Sequence, residues 1–233
     1  MFDLDNTLHD ASHSAFGQLH AAMGDYIATH LGLEAAEAGA LGERYWLRYG
    51  ATLLGLVRHH GVRAEHFLAE THRMPGLEAR LRASQHDLAS LRRLRGRKFI
   101  MTNAPRDYAH RVLASLNLLH LFDAVFCIED MTMFGQPRPK PDARMLRRLV
   151  ARLGARPSQC VLVEDTLQHL KSARGLGMRT VWMKRYLGGR FRGPSWRRDG
   201  KVTASARPQL CRCPKPQYVC ARIGALRTLA GFR

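Results

Sequence analysis

The sequence predicts an α/β fold, a parallel β-sheet flanked by helices, with a helical domain inserted directly after the first strand. Three observations predict it. Short apolar runs end repeatedly in polar or acidic residues, helical patterns separate those runs, and residues 11–83 break the alternation with helical patterns alone.

The runs are residues 1–3, 98–102, 124–128 and 160–164, with a fifth at 180–183 after a glycine-containing turn. Their length suits buried parallel strands, which read as continuous apolar stretches. Leu88, Leu91 and Leu94 precede the second run at helical spacing, and Val112, Leu113, Leu116 and Leu119 follow it. Met145, Leu146, Leu149 and Leu153 lead into the fourth run, and Leu167, Leu170, Ala173 and Leu176 leave it. In the insertion the apolar spacing passes through Phe16, Leu19, Met23, Ile27 and Leu31, then Tyr45, Leu47, Leu53, Leu54 and Val57. Breaks fall at Gly32, Gly50, Gly61 and Pro75-Gly76. The expected division is a core of residues 1–10 and 84–184, a helical cap of residues 11–83, and a basic tail of residues 185–233. A helical unit leaving the first strand can fold over the strand ends as a lid; the alternative is a side bundle that only packs.

At 233 residues the chain can bury a substantial core, and 45% of it is apolar. No run approaches the roughly 18 apolar residues that cross a bilayer, and no basic-then-apolar leader opens the sequence. Five cysteines in a chain of this length argue against a disulfide framework, so a reduced, cytoplasmic protein is expected. The formal charge of +18 is unevenly placed: residues 184–233 hold 13 Lys+Arg and one acid, a net of +12, leaving +6 for the rest. The tail lacks periodicity and is rich in Arg, Gly and Pro, a composition that rarely builds a core, so it is expected to be disordered or to derive from an out-of-frame 3′ end. Phosphate contacts by such a tail offer a nucleic-acid reading, which the distribution of charge makes the weaker one. Cys211, Cys213 and Cys220 fit no common zinc spacing. The histidines outside the motifs, His59 and His60 included, read as solvated helix residues.

Chemistry concentrates where strands end, the place where open parallel sheets carry their sites. Asp3 and Asp5 stand two apart in Phe2-Asp3-Leu4-Asp5-Asn6-Thr7-Leu8. One carboxylate can attack phosphorus while the other handles protons, and their repulsion calls for a cation such as Mg²⁺. Thr102 and Asn103 follow the second run and offer a hydroxyl and backbone N–H groups to a phosphate. Lys140 lies between Pro139 and Pro141. Glu164 and Asp165 end the fourth run and complete an acidic metal site. Singly each has a plain alternative: a turn, a solvated loop lysine, a helix N-cap. Together, in this order, they form one constellation.

In these four motifs the sequence resembles the haloacid dehalogenase superfamily over about residues 1–183. The resemblance implies a Rossmann-like core and a small-molecule phosphomonoester as partner. It implies Asp3 as the nucleophile that forms an aspartyl-phosphate, and Asp5 as the acid that protonates the leaving oxygen and then activates water. It implies Mg²⁺ held by Asp3, the main-chain carbonyl of Asp5 and Asp165, with Glu164 behind them. Thr102, Asn103 and Lys140 would bind the phosphate. An acid at Asp5 favours phosphate transfer over carbon–halogen cleavage. Asp5-Asn6-Thr7-Leu8-His9, Tyr49-Gly50-Ala51-Thr52-Leu53, Thr102-Asn103-Ala104, Ile128-Glu129-Asp130 and Val163-Glu164-Asp165 are similar to the pyrimidine 5′-nucleotidase branch, which implies UMP- or CMP-like substrates. Other small phosphomonoesters, a sugar phosphate or phosphoglycolate, are the alternative, and a catalytically impaired chain with a nucleic-acid-binding tail is a third.

Three features depart from the pattern. Only Met1 and Phe2 precede Asp3, so the first strand is expected to be nearly absent and the α-amino group to crowd the metal site. His169 stands where the branch carries Asn or Asp. The tail replaces a short C-terminal helix. An upstream start and an out-of-frame end would account for the first and third.

Overall fold

The computed structural model describes residues 1–187 and 215–231. The N-terminal segment is followed by six helices: α1 (Ala11–Ser14), α2 (Phe16–Leu31), α3 (Ala35–Tyr49), α4 (Thr52–His60), α5 (Ala64–Thr71) and α6 (Leu77–Arg80). Then come α7 (Gln85–Arg93), β1 (Phe99–Met101), α8 (Arg106–Ser115) and β2 (Ala124–Phe126). A two-residue hairpin, β3 (Thr132–Met133) with β4 (Gln136–Pro137), leads to α9 (Ala143–Arg152), β5 (Val161–Glu164), α10 (Leu167–Gly175), β6 (Arg179–Met183) and β7 (Ala221–Ile223). A 3₁₀ turn at Leu226–Gly231 follows.

The strands pair in parallel in the order β2-β1, then Phe2, then β5-β6-β7. Phe2 bridges both Ile100 of β1 and Val163 of β5, and so joins two halves into one sheet. Side chains alternate across it with the period of two that strands impose. Phe2, Ile100, Val163, Val181 and Ile223 pack on one face with α7 and α8. Met1, Phe99, Met101, Leu162 and Trp182 pack on the other with α9 and α10. A third cluster, built on Tyr26, Ile27, Leu41, Leu56 and Phe67, holds α2 to α5 together. The helix breaks fall at the glycines marked in the sequence. Gly32 and Gly50 close α2 and α3 with φ of 64° and 80°, left-handed conformations in which a β-carbon is strained.

The expected strand at residues 1–3 is short but fully bonded. The Phe2 N–H donates to the Phe99 carbonyl (2.7 Å) and its carbonyl accepts from Met101 (2.8 Å). On the other side the Asp3 N–H donates to Val163 (3.0 Å) and the Met1 carbonyl accepts from Val163 (3.0 Å). The terminal ammonium does not crowd the metal site. It donates to the Val161 carbonyl at 2.8 Å, at the opposite end of the segment, and burial lowers its pKa to about 6. Below it opens a cavity of about 430 Å³ between β1 and β5, lined by Gly96, Phe99, Gly154 and Val161. The Phe99 and Val161 carbonyls bond Phe2 and Met1, and within a strand a residue's N–H points the same way as its carbonyl. Both N–H groups therefore face this cavity. Adding four apolar residues before Met1 is expected to extend the strand into it. Each new hydrogen bond contributes about 1 kcal/mol, and about 2 kcal/mol in all raises the melting midpoint of a chain this size by roughly 4–8 °C. An unchanged midpoint in the extended protein would show that the cavity does not accept a strand.

The C-terminal reading needs correction. Part of the expected tail contributes to the core. Val219, Ile223 and Leu226 are buried, β7 pairs with β6 from Val181↔Ala221 to Met183↔Ile223, and the Leu226 N–H donates to Asp87 at 2.8 Å. Residues 185–187 are placed as well, with the Tyr186 hydroxyl accepting from the Ser84 N–H. Cys220 accepts from the Thr180 N–H at 3.4 Å. The rest of the expected tail, with Cys211 and Cys213, falls outside the described residues. Among the described residues no helix is long and apolar enough to cross a membrane.

Candidate active site

The sheet's carboxyl end gathers the predicted residues. Asp3 leaves the N-terminal segment, Thr102 and Asn103 leave β1, and Glu164 and Asp165 end β5. Lys140 arrives from the loop before α9 and donates its ammonium to Asp3 Oδ1 at 2.6 Å and to Glu164 Oε2 at 2.8 Å. All three side chains are buried. More than the flanking prolines fixes this lysine. Asn103 holds its main chain from both sides, accepting from the Lys140 N–H (2.8 Å) and donating to the Lys140 carbonyl (3.0 Å). The Asn103 amide is thereby tied to Lys140 by one donated and one accepted bond, and its backbone N–H is the group offered to a phosphate. Thr102 is anchored by its own N–H to Phe126 (2.9 Å), and its hydroxyl accepts from Ala104 (3.0 Å).

Oxygens of Asp3, Glu164 and Asp165 lie within 4.8 Å of one another. One ammonium cannot neutralise three carboxylates, two of them buried and Asp165 half-buried, and they divide accordingly. Glu164 is held far below the usual carboxylate range by the Lys140 and His169 charges, against its burial. Asp3 is pushed up to about 7 by burial and by the Glu164 charge, with Lys140 opposing. Asp165 is raised by burial and by the same two acids. Lys140 is raised despite burial because Asp3 and Glu164 face it. A divalent cation would restore Asp3 and Asp165 to their ionised forms. A hard, all-oxygen donor set of this kind fits Mg²⁺. His169 places Nδ1 3.1 Å from Glu164 Oε2, on the acid next to Asp165. The Trp182 indole donates to the Asp165 carbonyl at 2.9 Å and fixes that turn from β6.

Asp5 faces elsewhere. Its Oδ1 accepts from the Tyr108 hydroxyl at 2.8 Å and lies 2.9 Å from His9 Nε2. His9 enters the sequence reading only as the end of the Asp5–His9 motif, with no role of its own, and Tyr108 not at all. His9, which closes the Asp5–His9 motif, is fully buried, and Tyr108 is a buried residue of α8. The i, i+4 step from Asp5 to His9 was the one available signal. His59 and His60 carry partners too, the hydroxyls of Tyr49 and Tyr45 at 2.6 and 2.7 Å.

Over these groups lies a cavity of about 490 Å³, floored by Asp3, Asp5, Thr102 and Asp165. Its other wall comes from the insertion, with Phe16, Leu19, Met23, Trp46, Phe67 and Leu68. His20 and His72 complete that wall, and burial lowers both to about 4, so they stand neutral at physiological pH.

The model of the haloacid dehalogenase-like hydrolase family matches residues 1–177, well over half of the chain. The chain belongs to that family. Among curated relatives, the validoxylamine A 7′-phosphate phosphatase of Streptomyces hygroscopicus subsp. limoneus is 30% identical over 39% of this chain and 40% of its own length. The fructose-1-phosphate phosphatase YqaB of Escherichia coli is 35% identical over 34% of this chain and 40% of its length. Phosphate metabolism protein 8 of Saccharomyces cerevisiae is 24% identical over 76% of this chain and 58% of its length. The chain thus spans only about two fifths to three fifths of these relatives. Among solved structures, a haloacid dehalogenase phosphatase from Thermococcus onnurineus superposes with a TM-score of 0.61 at 20% identity, covering 99% of this chain and 96% of that one. YfnB from Bacillus subtilis, bound to magnesium, gives 0.59 at 15% identity, covering 99% and 96%. These likenesses establish the family's α/β fold with its parallel sheet. A dehalogenase also superposes, with a TM-score of 0.55, so fold alone does not choose the reaction.

Proposed function

We propose that this family member is a magnesium-dependent phosphomonoester hydrolase working through an aspartyl-phosphate on Asp3, with pyrimidine nucleoside 5′-monophosphates as substrates. The observation that carries the reaction class is the Asp3–Lys140–Glu164–Asp165 cluster facing a cavity that also contains a second acid, Asp5. A departing halide needs no proton, whereas a departing alkoxide does, so an acid beside the nucleophile favours ester hydrolysis.

Asp3 attacks phosphorus from its carboxylate form. Lys140 keeps that carboxylate oriented and, with Thr102 and the Asn103 N–H, takes charge that builds on the phosphoryl oxygens. Asp5 gives its proton to the departing oxygen and then takes one from the water that cleaves the aspartyl-phosphate. Asp3, Asp165 and the Asp5 carbonyl, backed by Glu164, would hold the Mg²⁺, which supplies charge neutralisation that lets an anionic carboxylate approach an anionic phosphate. Residues 11–83 serve as the lid that selects the leaving group.

The nucleotide reading rests on the lid wall. It presents aromatic and apolar side chains with two neutral imidazoles, and no Lys, Arg, Asp or Glu from the insertion lines the cavity. Such a wall suits a flat, uncharged base and suits poorly a second anionic group. Relatives named for sugar phosphates favour the second reading, a sugar phosphatase. A panel with Mg²⁺ present separates them. UMP and CMP are expected to be hydrolysed roughly tenfold faster in kcat/KM than AMP, GMP, fructose 1-phosphate or phosphoglycolate, the discrimination that about 1.4 kcal/mol of pocket contacts supplies, and chelation of the metal is expected to stop all of them. Equal rates on all nucleotides, or a preference for a sugar phosphate or phosphoglycolate, would remove the pyrimidine assignment and leave the reaction class. Full activity without a divalent cation would remove the metal.

A further inference from the structure

Asp5 is the member of the constellation whose surroundings the four motifs leave unexplained. Its two partners reach it from different parts of the fold. Tyr108 comes from α8, over a hundred residues away, is buried, and donates its hydroxyl to Asp5 Oδ1 at 2.8 Å. His9 lies one turn beyond Asp5, is fully buried, and brings Nε2 to 2.9 Å from the same oxygen. Ser14 Oγ stands 3.4 Å from the other ring nitrogen of His9, behind it. The edge of the His72 ring packs on the Tyr108 ring, with centroids 5.8 Å apart and planes at 73°, so the insertion braces the tyrosine from the cavity side.

Both contacts fall on Oδ1. A carboxyl group clamped through one oxygen has its remaining rotations fixed, and the other oxygen is the one free to meet a substrate. We infer that Tyr108 and His9 are positioning residues that hold Asp5 Oδ1 so that Oδ2 meets the leaving oxygen. The inference rests on the acid–base role proposed for Asp5.

In the first half-reaction the bond from an Asp3 oxygen to phosphorus forms while the bond from phosphorus to the leaving oxygen breaks. The leaving oxygen takes the proton of the Asp5 carboxyl and departs as an alcohol, and Asp5 is left as the carboxylate that later deprotonates water. A good leaving group departs without that proton; a poor one does not. Misplacing Asp5 therefore steepens the dependence of kcat/KM on leaving-group basicity, whereas a merely structural defect lowers all substrates together.

The test is kcat/KM with Mg²⁺ on a series from p-nitrophenyl to p-methoxyphenyl phosphate and an alkyl phosphate, for wild type, Tyr108→Phe, His9→Leu, His9→Gln and Asp5→Asn, with melting midpoints measured alongside. A well-placed general acid is worth about 10²–10⁴-fold, so losing one of its two holds is expected to cost roughly tenfold on the alkyl phosphate and clearly less on p-nitrophenyl phosphate. Asp5→Asn is expected to steepen the series further, and His9→Gln, which keeps a polar group in reach, to recover part of what His9→Leu loses. If Asp5→Asn steepens the series but Tyr108→Phe and His9→Leu lower every substrate equally, the positioning role is overturned and the reading of Asp5 stands. If Asp5→Asn itself leaves the series parallel to wild type, the acid–base reading falls and the positioning role falls with it.

Discussion

Asp3→Asn is expected to abolish turnover, by about 10⁴-fold or more, while the protein stays folded. The size of the loss follows from the kind of group removed: an amide has no free anionic oxygen with which to form an acyl phosphate, and losing a nucleophile costs far more than losing a contact. The fold should hold because the amide keeps the shape of the side chain and an oxygen that accepts from Lys140, whose ammonium retains Glu164 as its ionic partner. Asp3 is also a strained acid in this setting, pushed up to about 7 by burial and by its neighbour Glu164. A neutral amide removes that repulsion, so the melting midpoint measured without metal is expected to equal or exceed that of the wild type. Turnover of p-nitrophenyl phosphate with Mg²⁺, followed alongside the midpoint, checks both halves. Magnesium-dependent hydrolysis within tenfold of wild type would take the nucleophile's role from Asp3.

Deleting residues 188–233 is expected to destroy the fold, or to lower its melting midpoint by more than about 10 °C. The segment carries Val219, Ile223, Leu226 and Leu229, all buried in the sheet's two cores. At about 1.5–3 kcal/mol for each fully buried side chain of this kind, the four together rival the 5–15 kcal/mol by which a whole domain is stable. Deletion also strips β7 from β6, leaving a new edge with unpaired backbone groups. It further takes away the Leu226 N–H that Asp87 accepts in the first turn of α7. Leu226→Ala isolates the packing component: it is expected to cost about 2–5 kcal/mol, with turnover per folded molecule unaltered, since Leu226 is absent from the residues lining the cavity above Asp3. Unchanged melting midpoints for both the deletion and Leu226→Ala would mean that β7 contributes nothing to the sheet.

That second prediction marks where reading the chain as a string stops working. The apolar runs, the helical spacings between them and the glycine breaks are local patterns, set by the two-residue period of a strand and the 3.6-residue period of a helix. They place β1, β2, β5, β6 and the helices of the insertion within a few residues of where they lie. The order Asp3, Thr102, Lys140, Asp165 is local information as well, since each residue follows a strand or precedes a helix that the pattern already marks. Pairing is not local. Ala221, Arg222 and Ile223 look like nothing in a basic, irregular stretch, and they become a strand only because β6 offers an open edge about 40 residues earlier. Asn103 reads as a phosphate ligand by position, yet its amide is tied to Lys140, 37 residues away. Tyr108 is marked by no motif, yet its hydroxyl reaches Asp5 across 103 residues. The sequence alone therefore determined the fold class and which acids and cations stand at the strand ends. Tertiary structure decided what each holds, because a hydrogen bond's partner is chosen by proximity in space, and a periodic pattern carries no record of it.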